Sequence, residues 1–155
     1  MIRRAQEKDI PNMLSLLVQV CNVHAAGRPD LFNAGHTKYN AEELKSILKD
    51  DSTPVFAYCG DDDEMLGYAF CEVKTSDGTG AAAAIKTLYI DDLCVDANAR
   101  GQHIGRQLFE AVKAYAKENG FYNITLNVWE CNPSARIFYD KMGMTVQKTG
   151  MEYIL

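Results

Sequence analysis

The chain has 155 residues, 47% of them apolar and 24% charged, with a formal net charge of −5. That is the size of a single domain, residues 1–155, with enough apolar content for a real core. It excludes a disordered chain, and no apolar run is long enough to cross a membrane. The acidic balance argues against general nucleic-acid binding, which needs a basic surface, and suits a cationic acceptor somewhat better.

In chain order, Ile2 to Ala5 reads as a short first strand. Asp9 is placed to cap a helix with Pro11 in its first turn, and Ile10, Met13, Leu14, Leu17, Cys21 and His24 repeat at helical spacing. Gly27-Arg28-Pro29-Asp30 breaks that helix, and the stretch to Tyr39 reads as a loop. Asn40 with Glu43 opens a second helix, with Leu44, Ile47 and Leu48 on one face.

Thr53 to Cys59 and Met65 to Thr75 read as a hairpin around the acidic turn Gly60 to Glu64. Ile85 to Val95 is a long strand, with Asp91 expected on the same face as Tyr89 and Leu93 and Asp92 opposite. Ile104 to Lys117 is an amphipathic helix that ends at Asn119-Gly120. Tyr122 to Val128 is a strand, and Asn132 caps a short helix with Pro133 first. Met144 to Gln147 and Met151 to Leu155 are expected as closing strands. Strands followed by strand–helix–strand–helix–strand predict a mixed α+β sheet with helices on both faces.

The charged amino terminus lacks a signal-peptide core. Five widely spaced cysteines contain no C-x-x-C, which argues against a disulfide framework or a zinc knuckle and for a reducing, cytoplasmic setting. His24, His36 and His103 lack metal-ligand spacing, so no metal is expected. No local signature supports Cys94 or Cys131 as a thiol nucleophile.

The most informative stretch is Arg100-Gly101-Gln102-His103-Ile104-Gly105-Arg106, a flexible turn feeding a helix. The first N–H groups of a helix lack backbone partners, and the helix dipole adds positive potential there. Arg100 and Arg106 bring mobile charge to the same spot. The expected ligand is a phosphate or pyrophosphate.

These residues resemble the GNAT superfamily of acyl-CoA-dependent N-acyltransferases. The signature Arg/Gln-x-x-Gly-x-Gly/Ala is matched by Arg100 to Gly105, with His103 standing at the first glycine and keeping its backbone N–H. A second block, Asn132-Pro133-Ser134-Ala135-Arg136-Ile137-Phe138-Tyr139 through Gly143-Met144, resembles the family's Asn-x-x-Ala-x-x-x-Tyr pattern. The resemblance implies a mixed, mostly antiparallel sheet of six to seven strands, splayed between the fourth and fifth. It implies acetyl-CoA as co-substrate. Leu93, Cys94 and Val95 would hold pantetheine through backbone groups, and residues 100–106 would hold the pyrophosphate. Asn132, Ala135, Phe138 and Tyr139 would contact the cofactor. Tyr139 would be the general acid.

The run Tyr89 to Val95 is similar to the corresponding strand of spermidine/spermine acetyltransferases, which makes Asp91, directly or through water, the base candidate. The function expected is acetyl transfer to a primary amine, with a small cationic acceptor favoured over a peptide or protein. A non-catalytic acyl-CoA-binding module is the rival, one that would keep the cradle and lose the proton-transfer groups. The acceptor wall is expected around His24, Arg28, Asp30, Phe32, His36 and Tyr39. The apolar end of the sequence is expected to pair across a homodimer.

Overall fold

The computed structural model describes residues 1–155. Strand β1 (Ile2–Arg4) is followed by helices α1 (Ile10–Gly27) and α2 (Ala41–Lys49), the hairpin β2 (Val55–Cys59) and β3 (Met65–Thr75), and β4 (Lys86–Val95). Helix α3 (Ile104–Glu118), β5 (Asn123–Leu126) and α4 (Pro133–Lys141) complete the elements. The sheet order is β1-β2-β3-β4-β5, with every pair antiparallel except β4–β5.

Alternation along the strands sends apolar side chains to both faces, so the sheet needs a cover on each. Met13, Leu16 and Leu17 of α1 and Leu44 of α2 cover Val55, Ala57 and Phe70. Ile104, Leu108 and Val112 of α3 cover Phe56, Ala69, Leu88 and Ile90 on the other side. Gly67 is needed at the α3 crossing, because a Cβ there would lie 2.9 Å from the Cys94 carbonyl oxygen.

Asn40 caps α2 as its spacing predicts, its side chain accepting from Glu43 N–H at 2.9 Å. Asp9 does not cap α1. Its carboxylate accepts from Gln6 N–H at 2.7 Å and from two nitrogens of Arg3 at 2.8 and 2.9 Å. The arginine fork outcompetes the helix end for the same oxygens.

The sheet has five strands, not six or seven, because residues 144–155 form none. The alternating apolar pattern there is real, but no strand of this chain lies against it. Met151, Tyr153, Ile154 and Leu155 are exposed. β5 is four residues long and lies at the sheet's end, with one edge unpaired.

A second difference lies in β4. The register against β3 shifts between Phe70 and Cys71, so that Phe70 faces Asp92 and Cys71 faces Ile90. Asp91 is the extra residue of a β-bulge, and a bulge resets the alternation by one. Asp92 therefore shares a face with Asp91, on the α1 side, where Tyr68 and Tyr39 reach them. Leu93 falls on the α3 side instead of beside Asp91.

Candidate active site

β4 and β5 pair from Thr87↔Asn123 to Ile90↔Leu126 and no further. β5 ends there, while β4 continues to Val95. The sheet is thus open beyond Ile90, and the edge of β4 away from β3 has no strand partner over residues 91–95. Leu93 and Val95 pack toward α3. Cys94 is buried on the α1 side, its thiol 3.7 Å from the Leu16 carbonyl oxygen, so only its backbone faces the opening.

The turn after β4 is built to leave amides free. Asp96 accepts from Asn98 N–H at 2.8 Å and from Gln19 at 2.9 Å, fixing the exit from the strand. Gly101 and His103 both take the left-handed conformation, at φ 82° and 59°. No side chain caps the start of α3, and its first turn holds no acidic residue. Arg100, Gly101, Gln102, His103 and Arg106 are all exposed around it. Unpartnered N–H groups, the helix dipole and two arginines converge on one spot that suits a pyrophosphate.

Helix α4 closes the other side. Asn132 accepts from Ala135 N–H at 3.3 Å, as a cap. A Cβ on Gly105 would lie 3.4 Å from the Phe138 ring and 3.7 Å from Val95, so the start of α3 rests directly on α4. Tyr139 packs beside Phe138 and Phe109, at centroid distances of 5.1 and 6.5 Å. Burial raises its phenol well above the ordinary tyrosine range, and the nearby Asp92 and Cys94 add to the shift. Tyr139 therefore keeps its proton at neutral pH.

The two carboxylates lie on β4 itself, on the α1 side of the sheet. Asp91 accepts from Lys38 Nζ at 2.6 Å and from the Tyr39 hydroxyl at 2.7 Å. Asp92 accepts from the Tyr68 hydroxyl at 2.6 Å. Burial pushes Asp92 up to about 6, against the lowering influence of Tyr68 and of Lys38. A pKa raised toward neutrality is what general base chemistry requires of a carboxyl.

The expected acceptor wall is partly assembled. His24 and Phe32 pack at 5.0 Å with their rings tilted by 42°, and Phe32 meets Trp129 edge-on at 5.2 Å. Burial lowers the His24 pKa, and Lys38 lowers it further. Arg28 binds Asp30 at 2.9 and 2.7 Å and also pairs with Glu152. Tyr39 is drawn in to Asp91. His36 stays on the exposed loop and lines a cavity of about 600 Å³ with Asn22, Pro29 and Phe32. Neither aspartate nor Tyr139 borders that cavity.

Lys38, Tyr68 and Trp129 had no signal in the sequence. Each is defined by a partner far along the chain. No group of three or more His, Cys, Asp or Glu side chains is arranged to hold a metal. No helix is long and apolar enough to cross a membrane.

An open β4–β5 junction with an uncapped helix start beside it is the arrangement expected of an acyltransferase domain. The chain belongs to the acetyltransferase (GNAT) family, whose model matches residues 19–144. It is 32% identical over 60 residues to glucosamine 6-phosphate N-acetyltransferase of Arabidopsis thaliana, covering 39% of this chain and 38% of that one. It is 35% identical over 77 residues to a probable glucosamine 6-phosphate N-acetyltransferase 2 of Oryza sativa subsp. japonica, covering 50% and 42%. The match thus spans about two fifths of the length of these curated relatives. A crystal structure of a mutant BH1408 protein from Bacillus halodurans superposes with a TM-score of 0.95 at 30% identity, covering 100% of this chain and 99% of that one.

Proposed function

We propose that this domain transfers an acetyl group from acetyl-CoA directly to the primary amine of a small acceptor. One observation carries the reading: the strand edge left open beyond Ile90 carries the Asp91–Asp92 pair, and the phenol of Tyr139 lies near enough to Asp92 to feel its charge. Residues 100–106 and the amides of α3 hold the pyrophosphate, while the free backbone edge of Leu93 to Val95 orients the pantetheine arm. Asn132, Ala135 and Phe138 flank it. Asp91, directly or through water, takes the amine's proton, with Asp92 as the second carboxyl beside it. Tyr139 protonates the leaving sulfur.

A small cationic acceptor suits the acidic pair and the net charge of −5. A phosphorylated amino sugar is the second reading, favoured by the names of the plant relatives. Release of free CoA thiol from acetyl-CoA against polyamines, aminoglycosides, amino-sugar phosphates and lysine peptides decides between them. Turnover with one class that is lost in Tyr139→Phe establishes the reaction. Binding of acetyl-CoA without turnover on any amine overturns it.

We further infer a homodimer, on the strength of the exposed apolar segment 151–155 and the unpaired edge of β5. The five free cysteines fit the reducing, cytoplasmic setting expected.

A further inference from the structure

Resting on that reading, one group at the opening has no assigned role. Lys38 extends from the loop before α2, and its ammonium sits 2.6 Å from Asp91 and 5.5 Å from the centre of the Tyr39 ring. It lies close enough to Asp92 and to His24 to lower both their pKa values. The carboxylate proposed to take the proton of an incoming amine therefore already holds an amine of the chain itself.

The lysine is not locked there. Its side chain is 51% exposed, against 18% for Asp91. An ion pair with one end in water contributes at most about 1 kcal/mol, so the ammonium leaves and returns readily. Its neighbour is the fixed point: Tyr39 packs on Phe70 at 5.8 Å and donates to Asp91. The loop is thus anchored one residue away while the amine itself stays mobile.

We propose that Lys38 occupies the seat of the acceptor amine and is a self-acetylation site, taking the acetyl group when acetyl-CoA is present and no acceptor is. Lys38 starts as an ammonium and passes one proton to the Asp91–Asp92 pair. Its nitrogen then attacks the acetyl carbonyl carbon. A carbon–nitrogen bond forms, the carbon–sulfur bond breaks, and the sulfur keeps the electron pair. Tyr139 gives the sulfur a proton, and the second proton shed by the nitrogen restores the phenol. The products are Nζ-acetyl-Lys38 and CoA thiol. The modified side chain carries no charge, so Asp91 loses its ion pair and stands free for an external ammonium.

The test is to incubate the full chain with acetyl-CoA alone and follow acetylation by intact mass and peptide mapping at several protein concentrations. The expected result is one acetyl group at Lys38, appearing at a rate independent of protein concentration. It should form at least roughly 10-fold faster than at any other lysine and slow by a similar factor in Tyr139→Phe. Lys38→Arg should abolish thiol release in the absence of acceptor. Modification of Lys38 no faster than of other lysines, or unchanged in Tyr139→Phe, overturns the proposal. If the wild-type chain acetylates an added amine while Lys38 stays unmodified, the inference fails and the transferase reading stands. If acetyl-CoA does not bind at all, the transferase reading fails with it.

Discussion

Asp9 and Asp92 are the same residue type, each largely removed from water, one in the closed half of the sheet and one beside its opening. At Asp9 burial pushes the pKa up, but the Arg3 fork and the Gln6 N–H outweigh it, and the carboxyl is held below its ordinary value. Asp92 has neutral direct partners, the Tyr68 phenol and the Leu93 backbone, and burial prevails, taking it to about 6. Burial is common to both, so it is the bonded guanidinium at Asp9 that gives the two carboxyls opposite shifts. The same contrast appears in two strained turns. Asp63 takes φ 58° but is tied by Arg3 and Lys8, whereas His103 takes φ 59° with no side-chain cap bond.

The largest effect should come from breaking the paired side. Asp9→Ala leaves the Arg3 guanidinium, only 16% exposed, without its main partner, and should cost about 3 kcal/mol in denaturant unfolding. A loss under about 1 kcal/mol would mean that Asp9 is no more committed to the fold than a surface carboxylate.

On the open side, Tyr139→Phe should lower kcat by roughly 100-fold, with the affinity for acetyl-CoA within about 2-fold of wild type. A matching loss of affinity would turn the phenol into a packing group, and a steady-state and binding comparison reads the two apart.

The third test runs the comparison through pH. Asp92 moves from 3.8 to about 6 on folding, so between those values the folded state binds the extra proton and stability falls as pH rises. For Asp9, whose pKa is lowered, the sign reverses: its contribution is present above 3.8 and is lost as the solution is made more acid. Asp92→Asn should therefore stabilise the protein at pH 7 by on the order of 2 kcal/mol and flatten the profile between pH 4 and 6, while reducing activity. A destabilised Asp92→Asn would show that the charged form is tolerated in the native state.

The smallest effect is local. His103→Gly should stabilise by about 1 kcal/mol in thermal unfolding, because glycine adopts the left-handed turn without strain. No change would mean that the histidine side chain holds compensating contacts.

The sequence carried the parts of this contrast that depend on neighbours along the chain. Asn40 and Asn132 cap their helices where their spacing places them. Gly27 ends α1, and Arg100 to Arg106 form the turn into α3. What it did not carry depends on pairing across the sheet. The bulge at Asp91 arises from how β4 seats on β3, so alternation alone put Asp92 on the wrong face. Asp9 looked like a cap because Arg3, six residues away, has no periodic relation to it. Residues 151–155 have a strand's pattern, but pattern cannot supply a neighbour.

The contact between Gly105 and the Phe138 ring joins the phosphate turn to the helix that carries Tyr139. On the proposed roles, the two ends of the donor site are rigidly coupled, and the span between them acts as a gauge. A donor is measured from its pyrophosphate, and only a thioester at the right reach comes level with the phenol. Substitution at this one glycine would reset the gauge without touching a reacting atom.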